Sequence, residues 1–216
     1  QMLIDRVSLV AVAVGLEPGE PGCKPNVLIM AHEDGKAMAA RMVQDHRVIF
    51  DPLFSEGTNL GRKALERFTT SDAPVRWWHR TQTVMADTGE PFGRGDAVRV
   101  RGSGRTISNV RQEMVNILIV LDTGRIGSVS FGSLSDYVSM IALAQLDDQA
   151  DMREFPSVLN LFGSGDRKGR MTSWDLDYLT SLHATRGDAP NRTREANRIA
   201  RSMLERQAEA GTTPAS

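Results

Sequence analysis

Apolar positions along this chain fall into short runs with two different periods, helical and strand-like. Met2–Leu16 sets Leu3, Val7, Val10 and Val14 at helical spacing and stops at Gly15, which predicts a helix. Glu17–Pro25 is crowded with Gly and Pro and predicts a loop. Asn26–Ala31 (NVLIMA) is wholly apolar between breakers, the pattern of a central strand. Asp34–Asp45 predicts a helix with Met38, Met42 and Ala39 inward. Leu60–Phe68 predicts an amphipathic helix using Leu60, Ala64, Leu65 and Phe68.

The period then changes. In Pro74–Met85, Val75, Trp77, His79 and Thr81 share one face, and Arg76, Trp78, Arg80 and Gln82 the other, as in a half-buried strand. Asp87–Gly95 is turn-rich, and Ala97–Arg101 alternates again with Val98 and Val100 inward, so the two strands predict a hairpin with a long connection. Ser108 is placed to cap a short helix ending near Met114, ahead of the strand Val115–Asp122. After a Gly-rich connection, Ser133-x-x-Asp136 is a variant of the capping box and predicts the apolar helix Leu134–Leu146.

Asp147–Glu154 is an acidic loop, and Phe155–Phe162 predicts two helical turns with Pro156 at the first position. Gly163–Arg170 is a charged excursion. Thr172-x-x-Asp175 predicts a helix to about His183 with Leu176, Leu179 and Leu182 as its core face. Thr193–Ala210 is a polar, Arg-rich helix, expected to be the least buried and to lead into a disordered tail. No internal repeat is visible. The order predicts an α+β or α/β domain over residues 1–186, with a mixed sheet of about four strands packed on helices. Residues 187–216 form a peripheral helix and tail in this scheme.

Composition changes this picture little. A 216-residue chain with 40% hydrophobic and 25% charged residues can bury one substantial core. Its net charge of −1 supplies no global attraction to nucleic acid or anionic lipid. The basic residues are nearly all Arg, with Lys only at Lys24, Lys36, Lys63 and Lys168. Cys23 stands alone, which excludes an intramolecular disulfide and a cysteine zinc cluster. No apolar run reaches the roughly 18 residues of a membrane span. Val7–Leu16 has the length of a signal-peptide core but lacks a small-residue cleavage site. The chain begins at Gln1; removal of a leader would imply the periplasm or secretion, and otherwise the cytoplasm is expected, so the compartment stays open.

Few residues offer chemistry by spacing. His32-Glu33 opens like the H-E-x-x-H zinc motif, but Lys36 stands where the second imidazole belongs, and a polar loop at a strand end is preferred. His32, His46, His79 and His183 never fall at ligand spacing, so no metal or other cofactor is expected. Cys23 with a remote His lacks the surroundings of a nucleophile. The glycines of Gly163-Ser164-Gly165 and Gly169 lack a phosphate-loop pattern, and the two Arg-Gly-Asp tripeptides at Arg94 and Arg186 are attributed to composition. Asn191-Arg192-Thr193 is a glycosylation sequon that matters only in a eukaryotic secretory route.

One stretch concentrates charge. Arg76, Arg80, Arg94, Arg99, Arg101, Arg105 and Arg111 face only Asp87, Glu90 and Asp96, with Trp77 and Trp78 nearby. Arg76, Trp78, Arg80, Arg99 and Arg101 would form the binding surface for an anionic or single-stranded ligand. A solvated sheet face is the preferred alternative, because no nucleic-acid motif accompanies the patch.

A resemblance sharpens the centre of the chain. Asn26–Met30, Val115–Asp122, Leu134-Ser135-Asp136-Tyr137 through Ala142-Leu143, Pro156–Phe162 and Met171-Thr172-Ser173-Trp174-Asp175 through Leu182-His183 resemble uncharacterised bacterial families with a zincin-like, metallopeptidase-type fold. In metal-binding relatives, the helix after the last strand begins with His-Glu and carries a second ligand one turn on. Laid over this chain, Asp136 stands at the first ligand, Tyr137 at the Glu and Met140 at the second ligand. Tyr is no carboxylate base near neutral pH and Met is a poor zinc ligand, so the resemblance implies a degenerate motif. The first expectation is therefore a non-catalytic binding or scaffold module. The second is a hydrolase whose site draws on Asp136, Tyr137, His79 and His183, and the third is an Arg-patch anion-binding module. Partners are unknown, and nucleic acid is not favoured.

Overall fold

A computed structural model describes residues 1–20, 22–50, 61–91, 109–163, 169–185 and 191–212. Its elements run α1 (Met2–Ala13), β1 (Val27–His32), α2 (Gly35–Asp45), α3 (Arg47–Phe50), α4 (Gly61–Thr70), β2 (Val75–Met85), β3 (Val110–Asp122) and α5 (Phe131–Leu143). A 3-10 turn (Val158–Phe162), α6 (Ser173–Ala184) and α7 (Arg192–Thr212) complete the order. The architecture is mixed α and β. Among the described residues the sheet has three strands in the order β1-β3-β2, with β1 parallel and β2 antiparallel to β3.

β3 is the central strand, which displaces β1 to an edge, contrary to the sequence expectation. The central position explains the unbroken apolar run Ile117–Leu121: both of its faces are covered, so alternation would bury a polar group. On one face Ile117, Ile119 and Leu121 join Val75 and meet α1, α5, the 3-10 turn and α6. On the other, Leu118 and Val120 join Trp78 and meet Ala39 of α2, Phe50 of α3, and Ala64 and Phe68 of α4. Helices therefore cover both faces, and β2 is buried on both sides rather than half-buried. Arg76 and Trp78, each 3% exposed, lie in the interior and not on a solvated face.

β3 also begins earlier than expected. Val110–Met114 is strand, not the end of a short helix, because these residues pair with Thr81–Met85 across a register shift between Arg80 and Thr81. Among the described residues β2 pairs with β3. The proposed hairpin partner Ala97–Arg101 and the cap Ser108 lie outside the described residues.

The parallel pair ends on a close junction. Asp122, the last residue of β3, accepts a hydrogen bond from the Gly35 amide at the start of α2 (3.0 Å). A Cβ at Gly35 would stand 2.9 Å from Cβ of Asp122, and one at Gly124 would stand 2.8 Å from the Glu33 carbonyl. Only glycine lets these two loops approach so closely.

Three helix starts are set by side chains. Asp34 caps α2 by accepting from Ala37, as its place at the head of the predicted helix implies. Thr172 and Asp175 form a complete capping box at α6. For α5 the cap is Ser130, which accepts from the Ser133 amide, three residues before the expected Ser133. Pro156 precedes the 3-10 turn instead of opening it, and Ser157 is the cap. α7 lies against α6 through buried Ile199 and Met203, while most of its other described side chains face solvent. Among the described residues no helix is long and apolar enough to cross a membrane.

Candidate functional site

α5 is buried from Ser133 to Leu143, and three of the four candidate catalytic residues from the sequence turn out to fix its two ends. Asp136 is 1% exposed. It accepts hydrogen bonds from Nε of Arg6 on α1 (2.6 Å), Nε of Arg170 (2.6 Å) and the Met171 amide (3.0 Å). Burial alone would raise its pKa, but the bonds from Arg170, Met171 and Arg6 outweigh burial and hold the carboxyl below its ordinary range. Asp136 is therefore a buried tie between α1, α5 and the approach to α6, not a capping carboxylate. Its oxygens already have their partners.

The histidines close the other end. Nε2 of His79 lies 3.3 Å from the Ile141 carbonyl, and Nε2 of His183 lies 2.8 Å from the Leu143 carbonyl. A carbonyl only accepts, so each Nε2 carries the proton. The two rings thus satisfy carbonyls that the last turn of α5 leaves without helical partners. Burial pushes the His79 pKa down to about 4, against the pull of the Ile141 and Ala144 carbonyls. Burial also lowers that of His183, against the Leu143 carbonyl. His79 is fully buried and its Nδ1 has no hydrogen-bond partner, so the ring is neutral and out of reach of a substrate.

Tyr137 is the exception. It is nearly buried, sits edge-on to Phe162 with ring centroids 5.0 Å apart, and burial raises its hydroxyl pKa above the usual phenol value. It also lines a cleft of about 400 Å³ between β2, the loop after α5 and α6. The rings around this cleft are Trp77, Tyr137, Phe155, Trp174 and Tyr178. Trp174 and Tyr178, one turn apart on α6, stack with an interplanar angle of 3°, and Phe155 lies 5.3 Å from Trp174. Trp77 donates from Nε1 to the Leu146 carbonyl, which fixes the cleft wall to the end of α5. Met140, Asp147 and Asp148 complete the part of the lining that bears on chemistry.

Asp147 and Asp148 enter from the acidic loop. Arg67 of α4 reaches over to Asp148 with three hydrogen bonds of 2.6–3.1 Å, and its Nη2 is 3.8 Å from Asp147. Burial works against ionisation of Asp148, but the hydrogen bonds and charge of Arg67 prevail and lower its pKa. A second, adjoining cavity of about 300 Å³ lies on the Arg67 side and shares Trp77, Tyr137, Leu146 and Asp148 with the first.

Of the predicted Arg surface, Arg76 and Trp78 lie in the interior. Arg76 donates to the Phe68 and Ala73 carbonyls and lies 3.8 Å from Asp122 inside the fold, where burial lowers its pKa against the pull of Asp122. Trp78 packs between Phe50 and Phe68 at centroid distances of 6.1 and 6.2 Å. Arg80 is exposed, and Arg99 and Arg101 lie outside the described residues. His32 ends β1 and accepts from the Asp34 amide in an exposed loop, and Cys23 is an exposed free thiol. Among the described residues no three His, Cys, Asp or Glu side chains come together as a metal site.

The aromatic cleft was not singled out from sequence. Its only local signal is the Trp174–Tyr178 pair at helical spacing, which the leucine stripe of α6 overshadowed. Phe155, Trp77 and the acidic loop join it only through the tertiary fold. No protein-family model matches the chain, and no curated protein and no solved structure matches it.

Proposed function

We propose that this chain is a non-catalytic, zincin-like binding module whose ligand occupies the aromatic cleft beside α5. One observation carries the reading: the groups that would do chemistry are tied up in holding α5, whereas Tyr137 and Met140 are largely buried side chains that border an aromatic cleft. These are the two positions where the resemblance would put the Glu and the second metal ligand. A site that has lost its ligands and kept an apolar, aromatic lining is suited to holding a molecule and not to activating water. The order β3, loop, α5 supports the zincin-like part of the proposal. A fourth strand at Ala97–Arg101 would extend the sheet and belongs to the same proposal.

Metal analysis of the purified protein after exhaustive dialysis tests the reading. The expected result is no stoichiometric zinc. Zinc that persists at one equivalent, and that is lost from an Asp136→Asn variant, would overturn it in favour of a hydrolase.

A further inference from the structure

The cleft lining has a chemical sign. Five aromatic rings surround it, two carboxylates stand at its edge, and among the described residues no Lys, Arg or His side chain lines it. Among the described residues the cation that reaches these carboxylates, Arg67, lines the adjoining cavity instead and is committed to Asp148. Two carboxylates against one guanidinium leave the cleft one negative charge, centred on Asp147. That side chain is 69% exposed, accepts from the Gln149 amide and has Arg67 no closer than 3.8 Å.

We infer that the cleft takes an organic cation, a ligand with a substituted ammonium group attached to an apolar or aromatic body. The inference rests on the binding-module reading and adds the ligand class. Aromatic faces carry partial negative charge and attract ammonium groups that are poorly hydrated, most strongly where water is partly excluded. Trp and Tyr supply the strongest such faces, and four of the five rings are of these types. The carboxylate of Asp147 adds long-range attraction to the same charge. An anionic ligand would meet Asp147 and Asp148 with no basic group in the lining to offset them. A neutral ligand would gain only the apolar contact. The volume of about 400 Å³ is within the range of small-molecule pockets and fits a ligand of one ring and a quaternary head group.

The three tryptophans give an internal control. Trp77 and Trp174 line the cleft, whereas Trp78 packs with Phe50 and Phe68 and borders the adjoining cavity, so it reports a ligand that enters that cavity instead. The experiment is a titration of the full-length chain with benzyltrimethylammonium, followed by the three indole N–H resonances in a nitrogen-15 correlation spectrum. Benzyl alcohol and phenylacetate serve as the neutral and anionic arms. The expected result is saturable shifts at Trp77 and Trp174 with Trp78 unmoved. Benzyl alcohol should bind roughly tenfold more weakly, and phenylacetate more weakly still. Asp147→Asn keeps the acceptor for Gln149 and should weaken cation binding roughly two- to fivefold.

Equal or tighter binding of benzyl alcohol or phenylacetate at the same two resonances would overturn the inference while leaving a binding cleft. So would a cation that moves none of the indoles, or moves Trp78 as much as the others. Neither outcome depends on zinc, so failure here is separable from failure of the non-catalytic reading.

Discussion

Trp77 and Trp78 are adjacent in sequence and face opposite sides of one sheet, and their surroundings differ as the two sides of the molecule differ. On the α2–α4 side, Trp78 is packed against Phe50 and Phe68 and is 3% exposed, with the smaller adjoining cavity beside it. On the α5 side, Trp77 stands at the end of a long buried helix, half-covered, with its indole nitrogen bonded to the chain leaving that helix. The difference lies in what each strand residue is given to pack on. Phe50 of α3 and Phe68 of α4 pack directly on Trp78, whereas α5 ends beside β2 and leaves the acidic loop and α6 to border a gap beside Trp77. The cleft is that gap. It is lined by Trp77, Tyr137, Phe155, Trp174 and Tyr178.

The comparison is broken most forcefully by truncating each tryptophan in turn. Trp78→Ala should cost about 3–5 kcal/mol, because the vacated volume is enclosed by packed rings that cannot collapse into it. Trp77→Ala should cost roughly 1–2 kcal/mol, because water enters from the cleft and one hydrogen bond is lost. Chemical denaturation of both variants measures the contrast, and equal costs would show that the two sides are packed alike. Trp78→Phe sharpens the point further. The Trp78 indole nitrogen is buried without a partner, so removing it offsets part of the lost contact.

The next largest effect is on acid stability, and it separates the two ends of α5. His79 titrates near 4 in the folded chain, below the roughly 6.5 of an unfolded imidazole. Above that unfolded value both states are neutral and the full stability is present. As pH falls from about 6.5 toward 4, the unfolded chain takes up a proton that the folded chain refuses, and stability drops by roughly 3 kcal/mol. His183 is shifted in the same direction and adds to the same window. Asp136 acts lower. Its folded pKa is depressed, so its contribution is present above about pH 4, the unfolded carboxyl value, and is lost as pH falls through the folded one. A denaturation series against pH should therefore show two acid limbs. His79→Gln should flatten the upper limb, leaving the smaller slope from His183, and Asp136→Asn should reduce the lower one, leaving the part that Asp148 contributes. A single limb insensitive to His79→Gln would mean that the ring is hydrated and that the end of α5 is open.

What the sequence disclosed follows the range of the interactions concerned. β3 from Val115, α5, and the capping box of α6 were legible because an apolar run and a local cap are written in adjacent residues. Val110–Met114 was not, since VRQEM has no strand pattern of its own and is held by pairing with Thr81–Met85. The two-sided burial of β2 was hidden for the same reason. Alternating Arg and Trp look solvated until α2–α4 are known to cover them. Asp136 stood out in the sequence as a carboxylate at a helix start, but its contacts come from Arg6, 130 residues earlier, and Arg170, 34 residues later. No local pattern announces such partners. The cleft was the least legible feature, because an absence of packing is a property of the assembled fold.

The smallest effect concerns where α5 begins. The segment Ser130–Asp136 offers two serines three residues apart, and each is followed three positions later by a polar residue, so both resemble caps. The structure selects Ser130. Its Oγ accepts from the Ser133 amide at 3.1 Å and contacts the Ser133 hydroxyl at 2.9 Å. Asp136, which Ser133 would need as its capping partner, is turned instead to Arg6 and Arg170. Ser130→Ala should therefore cost about 1 kcal/mol, the usual loss of a helix cap. Ser133→Ala removes only one hydroxyl contact and should cost a few tenths of that. Thermal unfolding of the two variants side by side is a direct measure of the helix start. The reverse order would move it to Leu134, free Asp136 for capping, and leave Arg6 and Arg170 without the carboxylate that ties them to α5.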